Sequence, residues 1–298
     1  MTPRGVRMDA PAKVNLTLHV GARRADGYHE LETLFQGVDL SDVVEVRREG
    51  AGIELTSTGE DAGPSEQNLA LRAARAYLDA AGMSGDGAPG IRIRLEKQIP
   101  VAAGLGGGSS DAAATLKALD RLFEGAVGAG ALMAIAARLG SDVPFFLMPL
   151  PLGLGRGRGE VLEPVDPLPA LPGVVVLPGV RMSTAEAYGA LDRLRAARPS
   201  ATPPRLRAPR DWGEVASGAH NDFEGVVASA HPEVRDALSD LRATRPLVGM
   251  LSGSGASCFA LYGNDNEADG ASAALGSEGG RRTVRMRTLT AWPEPADL

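Results

Sequence analysis

Cysteine is almost missing from this chain of 298 residues, in which Cys258 stands alone. One thiol cannot close an intramolecular disulfide, so a stapled secreted scaffold is excluded and a reducing compartment is expected. Histidine is nearly as scarce, at positions 19, 29, 220 and 231 only. No two of these fall at a zinc-ligand spacing, which argues against a histidine-based metalloenzyme. No apolar run approaches the ~18 residues of a membrane span, and no signal-peptide core opens the chain. A soluble cytoplasmic protein is expected. The net charge of −6 gives no overall pull toward nucleic acid or anionic lipid. The Gly-x-Ser-x-Gly elbow of serine hydrolases does not occur.

What is present has ordinary globular composition, with 44% apolar and 23% charged residues and length enough for two cores. The first patterned strand is expected to begin near Ala12. Its alternation places Val14, Leu16, Leu18 and Val20 on one face and Lys13, Asn15, Thr17 and His19 on the other. Val43 to Arg47 and Ile53 to Thr56 flank Glu49-Gly50-Ala51-Gly52 and predict a hairpin. Helices are predicted over 68–80, 112–123, 132–139, 184–195, 232–242 and 267–275, and strands over 91–95, 174–177, 258–262 and 283–288. On the first helix, Leu69, Ala73, Ala76, Tyr77 and Ala80 share a face. Glycine-rich 153–159 and proline-rich 164–172 suggest a domain boundary, giving units 1–160 and 161–298. Residues 196–211, rich in Pro, Ala and Arg, read as a surface excursion without the interleaved aromatics of a nucleic-acid site. Cys258 opens an apolar strand and is expected to pack as a small hydrophobe.

One stretch stands out, VAAGLGGGSSDAA from Val101 to Ala113. It lies between an alternating strand and a helix whose apolar positions are Ala112, Leu116, Leu119 and Phe123. Glycines there permit positive φ and close backbone approach, so several N–H groups can converge beside a helix N-terminus. Ser109, Ser110 or Asp111 is placed to cap the helix. The loop is predicted to hold a phosphate. It is not a Walker loop, because no lysine lies between Lys97 and Lys117. Nor does it complete a dinucleotide fingerprint. Alanines at 102 and 103 are expected to keep negative φ.

Pro11-Ala12-Lys13-Val14-Asn15, Arg24-x-Asp26-Gly27-Tyr28-His29, the glycine loop, Gly140-x-Asp142-Val143-Pro144 and the small-residue loop Ser252 to Ser257 occur in this order. Together they resemble the GHMP kinase superfamily, which includes galactokinase, homoserine kinase and mevalonate kinase. The resemblance covers nearly the whole chain. It implies a two-domain α+β fold with the active site in the cleft between the domains. Asp26-Gly27-Tyr28-His29 points to one branch of the superfamily. That branch implies ATP-dependent phosphorylation of the 2-hydroxyl of a methylerythritol carrying a cytidine diphosphate group, in the non-mevalonate isoprenoid pathway. The alternatives are another small-molecule member of homoserine or mevalonate type, or a catalytically silent ligand-binding member.

By the same resemblance, Pro100, Val101, Ala102, Ala103, Gly104, Leu105, Gly106, Gly107, Gly108, Ser109 and Ser110 wrap the ATP phosphates, and Asn68 and Lys97 lie near the adenosine. Ser109 or Ser110 comes within reach of Mg²⁺. Lys13 neutralises charge at the acceptor oxygen, with Asn15 beside it toward the substrate, and Asp142 orients the hydroxyl or takes its proton. Cytosine needs an aromatic platform and a donor–acceptor partner. Tyr28 with His29 supplies both, and Tyr188, on the helix opened by Thr184, closes the other side of the ring. No nucleic-acid or membrane partner is expected.

Overall fold

The computed structural model describes residues 4–61, 63–196, 202–276 and 281–298. Its strands are β1 (Gly5–Arg23), β2 (His29–Arg48), β3 (Ile53–Gly59), β4 (Ile91–Lys97), β5 (Leu152–Gly157), β6 (Val161–Pro164), β7 (Pro172–Leu177), β8 (His220–Asn221), β9 (Val248–Leu251), β10 (Cys258–Leu261), β11 (Arg282–Arg287) and β12 (Ala296–Asp297). The helices are α1 (Leu69–Ala80), α2 (Gly107–Leu122), α3 (Ala129–Leu139), α4 (Thr184–Arg195), α5 (Trp212–Gly218), α6 (Glu224–Ala230), α7 (Pro232–Ala243) and α8 (Asp265–Leu275). No helix among the described residues is long and apolar enough to cross a membrane.

Two sheets carry the fold. The first runs β12-β1-β2-β4-β3, with β5 and β6 continuing from β2 and β8 beside β1; the second runs β11-β7-β10-β9. Helices α1, α2 and α3 cover the first sheet through a core that includes Tyr77, Ile93, Leu116 and Phe145. The second sheet packs against α4, α6, α7 and α8 around Val176, Leu191, Leu238, Cys258 and Leu275. A third cluster joins the two sheets, with Val14 and Leu16 of β1 against Val175, Phe259 and Leu261. Ala103 and Leu105 of the glycine loop belong to this cluster, so the loop is rooted where the sheets meet. The chain passes from the first sheet to the second between Pro164 and Pro172, and β8 and β12 return to β1.

Several expectations need correction. The segments at 43–47 and 53–56 are not a hairpin. β4 inserts between them, antiparallel to β2 (Val43↔Glu96) and parallel to β3 (Ile53↔Ile91). Four linking residues reach about 13 Å when extended, enough to cross the roughly 10 Å occupied by one intervening strand. β1 begins at Gly5, not near Ala12, with Val6, Met8 and Ala10 buried. Ala80 is exposed, and α1 instead buries Ala70, Ala74 and Leu78 beside Ala73 and Tyr77. The glycine-rich 153–159 stretch is strand and turn. A Cβ at Gly153 would stand 2.7 Å from Met148 Cε and one at Gly155 2.7 Å from Phe35 Cε2, so close approach explains the glycines there. Of the Pro/Arg-rich segment, residues 202–211 are mostly exposed coil; 197–201 lie outside the described residues.

The strict alternation of β1 also breaks. A register shift against β2 falls between Asn15 and Thr17. Such a bulge re-aims the side chains beyond it. Lys13 and Asn15 line a cavity beside the glycine loop together with Leu18, whereas His19 stacks on His220 at 4.5 Å, away from it.

Candidate active site

The connection from β4 to α2 turns on Gly104 (φ 77°) and Gly106 (φ 72°). A Cβ on Gly104 would lie 2.1 Å from the Ser252 carbonyl oxygen; only glycine fits. Helix α2 opens with Gly106 as N-cap and has no side-chain cap, so Ser109 and Ser110 sit inside its first turn and Asp111 just beyond it. The expected capping role is therefore corrected. Uncapped first-turn N–H groups beside the positive end of the helix are what an anion site requires. Ala102 departs from expectation too, with φ of 55°, while Ala103 stays outside the positive-φ region.

The loop lines a cavity of about 430 Å³. Pro100 through Ser109 all border it, as do Asn68 and Lys97. Ser110 does not. It is buried and faces a small space behind the helix with Lys117 and Trp292. Of the two serines, only Ser109 offers its side to the cavity. The polar heads of Asn68 and Lys97 are already engaged. Asn68 Oδ1 accepts from Ala70 N at 2.9 Å as the N-cap of α1. Lys97 Nζ is buried between Asp42 and Asp111, 2.7 Å from the latter. Asp42 also accepts from the N–H groups of Gln98 at 2.6 Å and Ile99 at 2.8 Å. The trio thus ties the start of the glycine loop to the N-terminal half of α2. Burial pushes the Asp111 carboxyl up to about 8, against the pull of Lys97 and with the help of Asp42. Its second oxygen, Oδ1, is buried without a hydrogen-bond partner.

Lys13 and Asp142 meet across this cavity. Lys13 Nζ donates to Asn15 Oδ1 at 2.8 Å and stands 3.3 Å from Asp142 Oδ2. Asn15 is held in turn: its amide donates to Thr33 Oγ1, which donates to the Thr17 carbonyl, both at 2.8 Å. Asp142 lies in the turn after α3, where Val143 N donates to Gly140 O at 3.2 Å and the buried side chains of Val143, Phe145 and Phe146 anchor the turn to the core.

A second cavity, of about 610 Å³, opens beyond Asp142 and shares Leu31, Asp142, Thr184 and Tyr188 with the first. Tyr28 and His29 line it. His29 Nε2 is 2.8 Å from Asp192 Oδ1, and its ring stacks on Tyr188 at 4.8 Å. Tyr188 rests edge-on against Phe223 at 4.8 Å. Burial raises the Tyr188 hydroxyl pKa, helped by the charges of Asp142 and Asp192, so the ring stays neutral. Tyr28 is 51% exposed, with the Arg158 guanidinium 4.7 Å from its ring centre. Thr184 Oγ1 lies 3.3 Å from Ser254 Oγ, linking the opening of α4 to the Ser252–Ser257 loop.

Sequence reading missed Asp42, Thr33, Arg158, Asp192 and Phe223. Their contacts span tens to hundreds of residues and leave no local pattern. The Ser252–Ser257 loop was singled out, and it clasps the glycine loop. Ser252 Oγ donates to Gly104 O at 3.1 Å, and Ser257 donates to Ala103 O through both its N–H and its hydroxyl.

Known proteins align with this arrangement. The GHMP kinases N terminal domain matches residues 68–149 and the GHMP kinases C terminal domain residues 204–281. The chain is 39% identical to a 4-diphosphocytidyl-2-C-methyl-D-erythritol kinase of Syntrophus aciditrophicus, over 94% of this chain and 98% of that protein. It is 42% identical to one from Solidesulfovibrio magneticus, over 92% and 94%. A crystal structure of 4-(cytidine 5'-diphospho)-2C-methyl-D-erythritol kinase superimposes with a TM-score of 0.77 at 40% identity, covering 94% of this chain and 98% of that one. Homoserine kinase from Cytophaga hutchinsonii shares the fold, with a TM-score of 0.73 at 20% identity over 99% and 98% of the two chains.

Proposed function

The chain belongs to the 4-diphosphocytidyl-2-C-methyl-D-erythritol kinases of the GHMP kinase family, ATP-dependent enzymes of isoprenoid biosynthesis, and on that premise we propose how its two cavities divide the reaction. ATP lies in the first cavity with its phosphates over the backbone of residues 104–109. The cytidine end of the acceptor lies in the second, against Tyr28, His29 and Tyr188. The 2-hydroxyl to be phosphorylated reaches the junction, where Asp142 stands.

Phosphoryl transfer asks the protein for alignment and charge stabilisation more than for covalent chemistry. Asp142 accepts or orients the 2-hydroxyl proton as the oxygen attacks the γ-phosphorus and the bond to the ADP oxygen breaks. Lys13, a cation with its position set by Asn15, offsets negative charge on the transferring group. Ser109 Oγ is a hard oxygen donor bordering the phosphate loop, the kind of ligand that suits Mg²⁺. When bound there, Mg²⁺ supplies charge neutralisation to the phosphate oxygens.

The observation that carries this reading is the placement of Asp142 on the border shared by both cavities, in contact with Lys13. ATP consumption by the purified protein against a panel of alcohols tests it. Turnover is expected with the cytidylyl methylerythritol and not with homoserine, mevalonate or methylerythritol phosphate lacking the cytidylyl group. Comparable rates with the last of these would contradict a cytidine-binding second cavity.

A further inference from the structure

Four consecutive residues, Asn221-Asp222-Phe223-Glu224, contact β1, helix α4 and the Ser252 loop around the site. Asn221 is buried on β8 beside β1. Its amide nitrogen donates to Leu251 O at 2.9 Å and to Gly253 O at 2.8 Å, and its Oδ1 accepts from Phe223 N at 2.9 Å. Asp222 accepts from Val20 N at 2.7 Å and pairs with Arg195 of α4 at 3.0 Å. Phe223 supports Tyr188, and Glu224 accepts from Leu251 N at 3.2 Å.

The two carbonyls held by Asn221 flank Ser252, whose own hydroxyl and carbonyl press on Gly104. A Cβ on Gly253 would come within 2.9 Å of Gly104 O and 3.3 Å of Lys13 Nζ, so this contact has no slack. Both carbonyls face one side-chain atom, and a primary amide is the group that supplies two N–H donors from a single nitrogen. Removing those donors leaves two buried acceptors unpaired, which costs more than the bonds themselves contribute. The displacement falls on Ser252 and, through it, on Gly104. The acceptor side hangs on a different atom, Oδ1, through Phe223 and Tyr188.

We infer that Asn221 is a positioning residue for the kinase reaction, setting the shape of the nucleotide loop through its amide donors while its Oδ1 separately anchors the aromatic wall of the acceptor cavity. This rests on the reading of residues 104–109 as the phosphate-holding loop.

The experiment measures KM for ATP and for the cytidylyl substrate, and the folded fraction, in Asn221→Asp, Ser252→Ala and Gly108→Val. Asn221→Asp keeps Oδ1 and replaces the donor nitrogen by an acceptor. It is expected to raise the ATP KM by about tenfold or more, the scale of a lost buried hydrogen bond, with the cytidylyl KM within about twofold of the parent. Ser252→Ala, further along the same chain of contacts, is expected to raise the ATP KM alone by a few-fold. Gly108 has open space on its cavity side, the nearest atom to a Cβ being Leu69 Cδ1 at 3.8 Å. Gly108→Val therefore tests the loop reading itself, and a parent ATP KM there would reject that reading independently of Asn221. With the loop reading intact, a parent ATP KM in folded Asn221→Asp overturns the inference. So does an equal rise in both KM values, or lost activity that merely follows the folded fraction. Should Asn221→Asp fail to fold, a parent ATP KM in Ser252→Ala overturns it.

Discussion

Lys13 and Asp142 form an ion pair of 3.3 Å in which the ammonium-bearing side chain is 5% exposed and the carboxylate-bearing one 32%. The asymmetry fits the roles proposed for the two. The cation is fixed from behind by Asn15 and roofed by Phe35, whose ring centre lies 5.5 Å from Nζ. The carboxylate is open to the cavities on either side. A proton acceptor must reach a hydroxyl that arrives with the substrate, whereas a charge stabiliser works best when it is already in place.

Tyr28 and Tyr188 separate binding from packing. Tyr28 is half exposed, with Arg158 across its ring, so Tyr28→Ala should leave the melting temperature nearly unchanged. Loss of a base–aromatic stack is worth about 1–3 kcal/mol, a rise of roughly 5- to 150-fold in the cytidylyl KM. Tyr188→Ala also removes contacts with His29 and Phe223 and should lower both stability and affinity. A parent cytidylyl KM in Tyr28→Ala would place the base elsewhere.

Ala102 holds a left-handed φ of 55° without being glycine. That conformation costs an L-residue about 1–2 kcal/mol, part of which a glycine returns through its freer unfolded chain. Ala102→Gly should stabilise the protein by about 0.5–1 kcal/mol, or about 1–2 °C in Tm for a chain of this size. Ala103→Gly should bring no gain. Calorimetry on the two variants checks the contrast, and equal shifts would contradict it.

The buried carboxylate of Asp111 makes stability depend on pH. Its folded pKa is raised to about 8 by burial, against about 3.9 in an unfolded chain. Between those values the folded protein holds a proton that the unfolded chain has released, so this contribution is full below about 4 and lost as pH rises through about 8. Asp111→Asn removes the titration while keeping an oxygen for Lys97. The variant should gain on the parent as pH rises from 5 to 9, read as urea midpoints. Parallel curves would show that Asp111 does not carry the proton.

Legibility followed the reach of the interactions. The β4–loop–α2 unit could be read because a period of two gives way to a helical period across a run of glycines. Helix α4 declares itself through the Ser183 and Glu186 capping box. Strand β2 could not be traced over its full 20 residues, since its register against β1 shifts three times and side-chain alternation is lost at each shift. The same bulges defeat the assignment of Thr17 and His19 to the face of Lys13. The missing hairpin has another cause, since alternation identifies strands and leaves their partners open. For the site, motif residues were legible. The partners that hold them, such as Asp42 on Lys97 or Asn221 on the Ser252 loop, are set by tertiary contact alone.

The central claim is that chemistry occurs at Asp142, where the two cavities meet. Its most direct test is steady-state kinetics of Asp142→Asn with ATP and the cytidylyl substrate, a change that preserves size and removes the charge and the proton acceptor. The account predicts a kcat lower by about 10² to 10⁴, the scale for a positioned base, with an ATP KM close to the parent. A kcat within a few-fold of the parent would contradict it and leave the carboxylate a structural partner of Lys13.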